Sequence, residues 1–116
     1  MGTQELLKVD VRQERDRVII VLDGELDMAN APVLENAIDS ADIDSRTPAP
    51  LVLDLDKLHF IDSTGLRIIL SARERCRRAG REFAITRGSE QVQRLLNVTG
   101  VADHLRMITA PDEVLV

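Results

Sequence analysis

A chain of 116 residues is long enough for one ordinary domain with one core, and too short for two. With 44% hydrophobic and 30% charged residues it has the profile of a folded soluble domain, and its core must be built from Leu, Ile, Val and Ala, because aromatics make up only 2%. Few rings to stack on bases and a net charge of −5 argue against a nucleic-acid module and against attraction to anionic membranes.

Along the chain, Met1 to Asp10 is polar and lacks the apolar stretch of a signal peptide, so a cytoplasmic protein is expected. Leu7 to Arg12 alternates apolar and polar residues and predicts a half-exposed strand. Arg15-Asp16 reads as a turn, and the apolar run Val18 to Leu22 as a second, more buried strand, so the two form a hairpin. Gly24-Glu25-Leu26-Asp27 ends that strand. Asp27 or Asn30 then caps a helix with Pro32 in its first turn and Val33, Leu34, Ala37, Ile38 and Ala41 at helical spacing. Ser45 to Pro50, with two prolines, is a loop, and Leu51 to Leu55 a short central strand.

Ser63 to Ala79 is the clearest helix. Leu66, Ile69, Leu70, Arg73 and Cys76 mark its apolar side and Gly80 its end. Glu82 to Thr86 predicts a strand, and Glu90 to Val98 a helix ending near Gly100. Leu105 to Ile108 predicts a last strand, and Pro111 opens a short helix. Strands alternating with helices imply parallel pairing through right-handed crossovers. With the opening hairpin, the expected fold is α/β: a mixed sheet of about four or five strands packed by about four helices.

The chemistry-bearing segment is Asp62-Ser63-Thr64-Gly65, at a strand-to-helix junction. Asp, Ser and Thr all accept orphan N–H groups at helix starts, so a plain helix cap is the first reading of these residues. Three observations lean towards function. Three cap-competent residues exceed what one helix start needs. Gly65 is poor helix material, at roughly 1 kcal/mol against Ala, which suggests that something approaches the backbone closely. Such junctions at the carboxyl end of parallel strands also commonly carry binding sites.

Asp62-Ser63-Thr64-Gly65-Leu66 resembles the signature of the STAS domain, shared by bacterial anti-sigma factor antagonists and the cytoplasmic tails of sulfate transporters. Gly24-Glu25-Leu26-Asp27 matches a second mark of that family, Leu51 to Leu55 its central strand, and Leu95 to Val101 its late helix and turn. The resemblance runs from about Val9 to Glu113, so the whole chain, 1–116, reads as a single STAS domain. It implies an anti-sigma factor antagonist without catalysis or cofactor. Ser63 would be phosphorylated by an anti-sigma factor that is also a serine kinase, and a phosphatase would reverse the mark. The unphosphorylated form would bind the anti-sigma factor and free a sigma factor for transcription. Asp27, Asp62, Ser63, Thr64, Gly65 and Arg67 would form the partner surface. Thr64, a serine in many relatives, is a secondary acceptor. Arg67 stands where the family often has a small residue, and reads as a phosphate partner, a determinant of partner choice or an exposed helix residue.

Other readings stay open at this stage. One is a STAS interaction module of a stress-signalling assembly or a phospholipid-transport system. A small serine hydrolase using His59, Asp62 and Ser63 lacks the Gly-x-Ser-x-Gly elbow. No stretch of 18 apolar residues spans a membrane. Cys76 is the sole cysteine and reads as core; with only His59 and His104 besides, no metal site is expected. Arg73, Arg75, Arg77, Arg78 and Arg81 read first as a solvated helix end and second as a dock for an acidic partner. Monomer and weak dimer are both compatible with the sequence.

Overall fold

The computed structural model describes residues 6–42 and 49–115. Most of the expected Ser45–Pro50 loop and the first five residues therefore lie outside the described residues. Strand β1 (Leu7–Gln13) and strand β2 (Val18–Leu26) form the expected antiparallel hairpin. Helix α1 (Ala31–Asp42) follows, then strand β3 (Leu51–Ile61), helix α2 (Ser63–Arg78) and strand β4 (Phe83–Thr86). Helix α3 (Glu90–Val98), a 3-10 turn (Val101–His104) and strand β5 (Met107–Ile108) complete the fold.

The strands lie in chain order, β1-β2-β3-β4-β5, and every pair after the first is parallel. A sheet wound in sequence order through crossovers of one hand carries its helices on one face. The packing agrees. Val18, Ile20 and Leu22 of β2 and Leu51, Leu53 and Leu55 of β3 share one core cluster with Leu34 and Ile38 of α1, Leu66 and Ile69 of α2, and Val92 and Leu96 of α3. The opposite face holds a smaller cluster, Ile19, Val21, Val52, Ala84 and Ile108, with Leu115 packed against it. Arg17, buried at the start of β2, holds that last segment in place. Its Nη1 donates to the carbonyls of Pro111 (3.0 Å) and Glu113 (2.7 Å).

Several elements differ from expectation. β3 runs to Ile61, not Leu55. Its register against β2 slips twice, so that β3 supplies an extra residue between Asp54 and Lys57 and again between Leu58 and Phe60. These bulges turn Leu55, Leu58 and Ile61, spaced by three, towards the same core, a spacing that a regular strand would scatter over both faces. β2 likewise continues through the Gly-Glu-Leu segment that was expected to end it. Val33 is exposed, so the buried side of α1 is Ala31, Leu34, Ile38 and Ala41. In α2 the buried side is Gly65, Leu66, Ile68, Ile69, Ala72 and Cys76, and Leu70 and Arg73 sit at its margin. Residues after Pro111 form a turn instead of a helix, because the Arg17 guanidinium occupies carbonyls that a helix would use.

Candidate functional site

Two loops meet at the carboxyl end of the sheet, β2 to α1 and β3 to α2. Gly24 lies in the approach to the first with φ of +119°, and a Cβ there would collide with the Leu6 carbonyl oxygen. Glycine lets the chain before β1 close on β2, where the Glu25 N–H donates to that same carbonyl at 2.7 Å. Asp27 Oδ1 accepts from the N–H groups of Ala29 (3.0 Å) and Asn30 (3.1 Å). Asn30 Oδ1 accepts in return from Asp27 N–H at 2.9 Å, and its amide donates to the Glu25 carbonyl at 2.7 Å. Neither expected cap accepts an N–H of α1 on its side chain: the Ala31 and Val33 N–H groups donate to the Asp27 and Asn30 backbone carbonyls, and the two side chains instead lock the turn that precedes the helix.

Asp62 is the N-cap of α2. One carboxylate oxygen accepts from Gly65 N–H at 3.0 Å. The other reaches across to the first loop and accepts from Met28 N–H at 3.1 Å. The Asp62 N–H donates to the Leu26 carbonyl at 3.2 Å. Gly65 is buried against β2 and β3. A Cβ on it would lie 2.7 Å from Ile61 Cγ1 and 2.8 Å from Leu26 Cγ. The close approach that a glycine in a first helical turn suggested is that of the protein's own Leu26.

Ser63 is the first residue of α2 and is exposed. Its hydroxyl makes no hydrogen bond among the described residues, since Asp62 performs the capping. Thr64 is half-buried and faces a groove of about 370 Å³ between α1 and α2, which Arg67, Glu35 and Asp39 also line. Arg67 is exposed and makes no ion pair among the described residues. Of the six expected surface residues, Ser63, Thr64 and Arg67 therefore offer side chains outward. Asp27 and Asp62 spend their carboxylates on backbone, and Gly65 acts through close packing.

His59 does not join Ser63. It lies in β3 with Nε2 4.0 Å from Glu25 Oε1. Cys76 is core, as expected. Among the described residues no cluster of His, Cys, Asp or Glu could hold a metal ion, and no helix is long and apolar enough to cross a membrane.

The arginine cluster is not one solvated face. Arg81 is buried and its Nε donates to the Ala49 carbonyl, joining the end of α2 to the entry of β3. Arg75 pairs with Asp39 of α1 at 2.8 Å. Arg77 and Arg78 both reach Glu74, and the Arg77 hydrogen bonds hold the Glu74 carboxyl down at about 2, well below the usual carboxylate range.

Two exposed apolar residues flanking the two motifs escaped the sequence reading. Met28, 75% exposed, sits on the loop that Asp62 pins, and Phe60, 43% exposed, closes β3. Their signal is that large apolar side chains flank the two motifs where neither helix nor strand period calls for them.

The chain is similar to the anti-sigma F factor antagonist of Paenibacillus polymyxa, with 33% identity over 95 residues, 82% of this chain and 80% of the relative. It is 29% identical over 99 residues to the anti-sigma-F factor antagonist RsfA of Mycobacterium tuberculosis, covering 85% of this chain and 77% of the relative. The crystal structure of an anti-sigma factor antagonist from Mycobacterium paratuberculosis superposes with a TM-score of 0.79 at 26% identity, over 91% of this chain and 88% of that one. The STAS domain model matches residues 8–114, a span that includes both pinned loops, and the chain belongs to the STAS domain family.

Proposed function

We propose that this chain is an anti-sigma factor antagonist whose binding is switched by phosphorylation of Ser63. The observation that carries the reading is the exposed, unbonded Ser63 hydroxyl at the start of α2, beside an aspartate that already caps the helix. The three relatives described above carry the same designation and support it.

In this reading the whole chain, 1–116, is one STAS unit with its core at about residues 9 to 113. It works in the cytoplasm and is the substrate of a kinase, with no catalysis of its own. The unphosphorylated form presents a neutral serine at the start of α2, next to the Asp62 that pins the Met28 loop, and the anti-sigma factor packs against that surface and releases its sigma factor. A phosphate on Ser63 adds about −1.5 to −2 charge. The helix start tolerates it, because the cap takes the Gly65 N–H and leaves those of Ser63 and Thr64 to face an anion, along with the positive end of the dipole. Arg67, one turn further on, offers a cation at i+4. The partner, packed against a site made for a neutral hydroxyl, then meets a desolvated charge beside Asp62 and leaves. A phosphatase restores the binding form.

Incubation with ATP and each candidate anti-sigma kinase of the source organism, followed by mass spectrometry and a pull-down, tests this. Phosphate at Ser63, lost partner affinity and an unchanged circular dichroism spectrum are expected. Stable binding that no kinase modifies would instead indicate an interaction module of another signalling or transport system. Ester turnover abolished by Ser63→Ala would make the chain an enzyme and end the proposal.

A further inference from the structure

At the end of α2 remote from Ser63, side chains from three separate stretches of chain converge on a second surface. Arg73 and Arg77, one turn apart on α2, line a groove of about 250 Å³ with Arg81, with Glu82 before β4, and with His104 and Arg106 before β5. Among the described residues four arginines and one glutamate line the groove, with Arg81 buried on the Ala49 carbonyl, Arg77 held by Glu74 and Arg106 facing Glu82. Among the described residues arginines thus outnumber carboxylates at this groove, in a chain whose net charge is −5. Arg73 has no carboxylate partner among the described residues. A helix end needs a cation or two to satisfy its dipole. It does not need a further arginine and a histidine brought in from the approach to β5.

We propose that this groove docks an acidic, carboxylate-rich segment of a partner protein, as a contact separate from the Ser63 surface. Planar guanidinium groups on both walls suit carboxylates, which they bind in bidentate fashion. Glu82, exposed at the groove and 3.6 Å from Arg106, favours an extended peptide whose carboxylates alternate around it. A compact polyphosphate would sit directly against that carboxylate. Nucleic acid is opposed by the negative charge of the remainder of the chain. Arg73 and Arg77 lie ten and fourteen residues beyond Ser63 on α2, which is about 15–20 Å at the helical rise. That exceeds the screening length of about 8–10 Å in physiological salt, so the contact is indifferent to the state of Ser63.

The test uses a fluorescein-labelled octaglutamate peptide and fluorescence anisotropy at low salt. The wild-type chain binds, Ser63→Asp binds equally, and Arg73→Glu combined with Arg106→Glu weakens binding at least about tenfold, or about 1.4 kcal/mol. Arg73→Gln, which breaks no described ion pair, gives a smaller loss and serves if the double variant fails to fold by circular dichroism. No binding by the wild type, or equal binding by the charge-reversed variants, overturns the proposal. So does stronger binding of tripolyphosphate or duplex DNA than of the peptide. Because Ser63→Asp is an arm of the same experiment, failure here is independent of the phosphorylation reading.

Discussion

At Gly65 the backbone of α2 passes so close to Leu26 and Ile61 that a methyl group has nowhere to go. Gly65→Ala is expected to lose about 1–3 kcal/mol in urea denaturation, the usual penalty of overpacking, although alanine is the better helix former. Asp62→Ala removes an acceptor from both Gly65 N–H and Met28 N–H and should cost about 1–2 kcal/mol. Ser63 makes no such bond. Ser63→Ala and Ser63→Asp are therefore expected within about 0.5 kcal/mol of wild type in the same denaturation. Under the proposed switch their effects on partner binding are expected to be opposite: retained without response to kinase in the first, lost in the second. A Ser63→Ala protein destabilised by 2 kcal/mol or more would mean that the hydroxyl is structural after all. At this scale the sequence was only half legible. Asp, Ser and Thr in a row are chemically equivalent caps, and nothing in their order says which one the helix uses. Geometry decides, because only Asp62 has two oxygens to divide between α2 and the Met28 loop.

Among the elements, α2 combines the site at its start with a cluster of ion pairs around Glu74 at its end. Glu74 accepts from Arg77 at 2.6 Å and from Arg78 at 3.3 Å. Its carboxyl, lowered to about 2 from an ordinary 4.5, favours the charged folded form. A depressed carboxylate contributes stability above its unfolded value and loses it as the pH falls through the folded one. The urea midpoints of wild type and Glu74→Gln should thus differ by a small, salt-sensitive margin at pH 7. That margin should hold down to about pH 4.5 and close as the pH approaches 2. A margin unchanged across that range would exclude the Glu74 cluster as its source. Three of the four expected helices were read from their apolar period, whereas the one after Pro111 is a turn and β3 was read at half its length. Its second half, Asp56 to Ile61, places apolar residues three apart, and a strand can do that only through bulges that no local pattern announces. Those same bulges deliver Asp62 to the Met28 loop, so the stretch least legible as a strand is the one that positions the site.

The whole molecule is lopsided. Its helices share one face of the sheet, and the other face is closed by a short C-terminal turn that Arg17 holds through two carbonyls. Arg17→Ala should cost about 2 kcal/mol, as expected for buried charge-assisted hydrogen bonds. It should also speed amide exchange at Ile19 and Val21 more than at Leu53 or Ile69. Uniform acceleration over the whole sheet would argue against a local clamp. The mixed α/β layout followed from the alternation of periods in the sequence, and the parallel pairing from the crossovers. Arg17 was invisible, because an arginine beside Asp16 in a hairpin turn looks like ordinary surface charge until its carbonyl partners, more than ninety residues away, are known.

Division of labour between Asp62 and Ser63 has a consequence for how such proteins diversify. The cap, the cross-loop bond and the glycine contact form a frame that does not involve the side chain at position 63. Under the proposed switch, a lineage can exchange that residue for threonine, alanine or aspartate at little folding penalty, and so acquire, lose or permanently fix the response to a kinase in a single mutational step. Regulation at this position is able to evolve on its own, with the scaffold left intact.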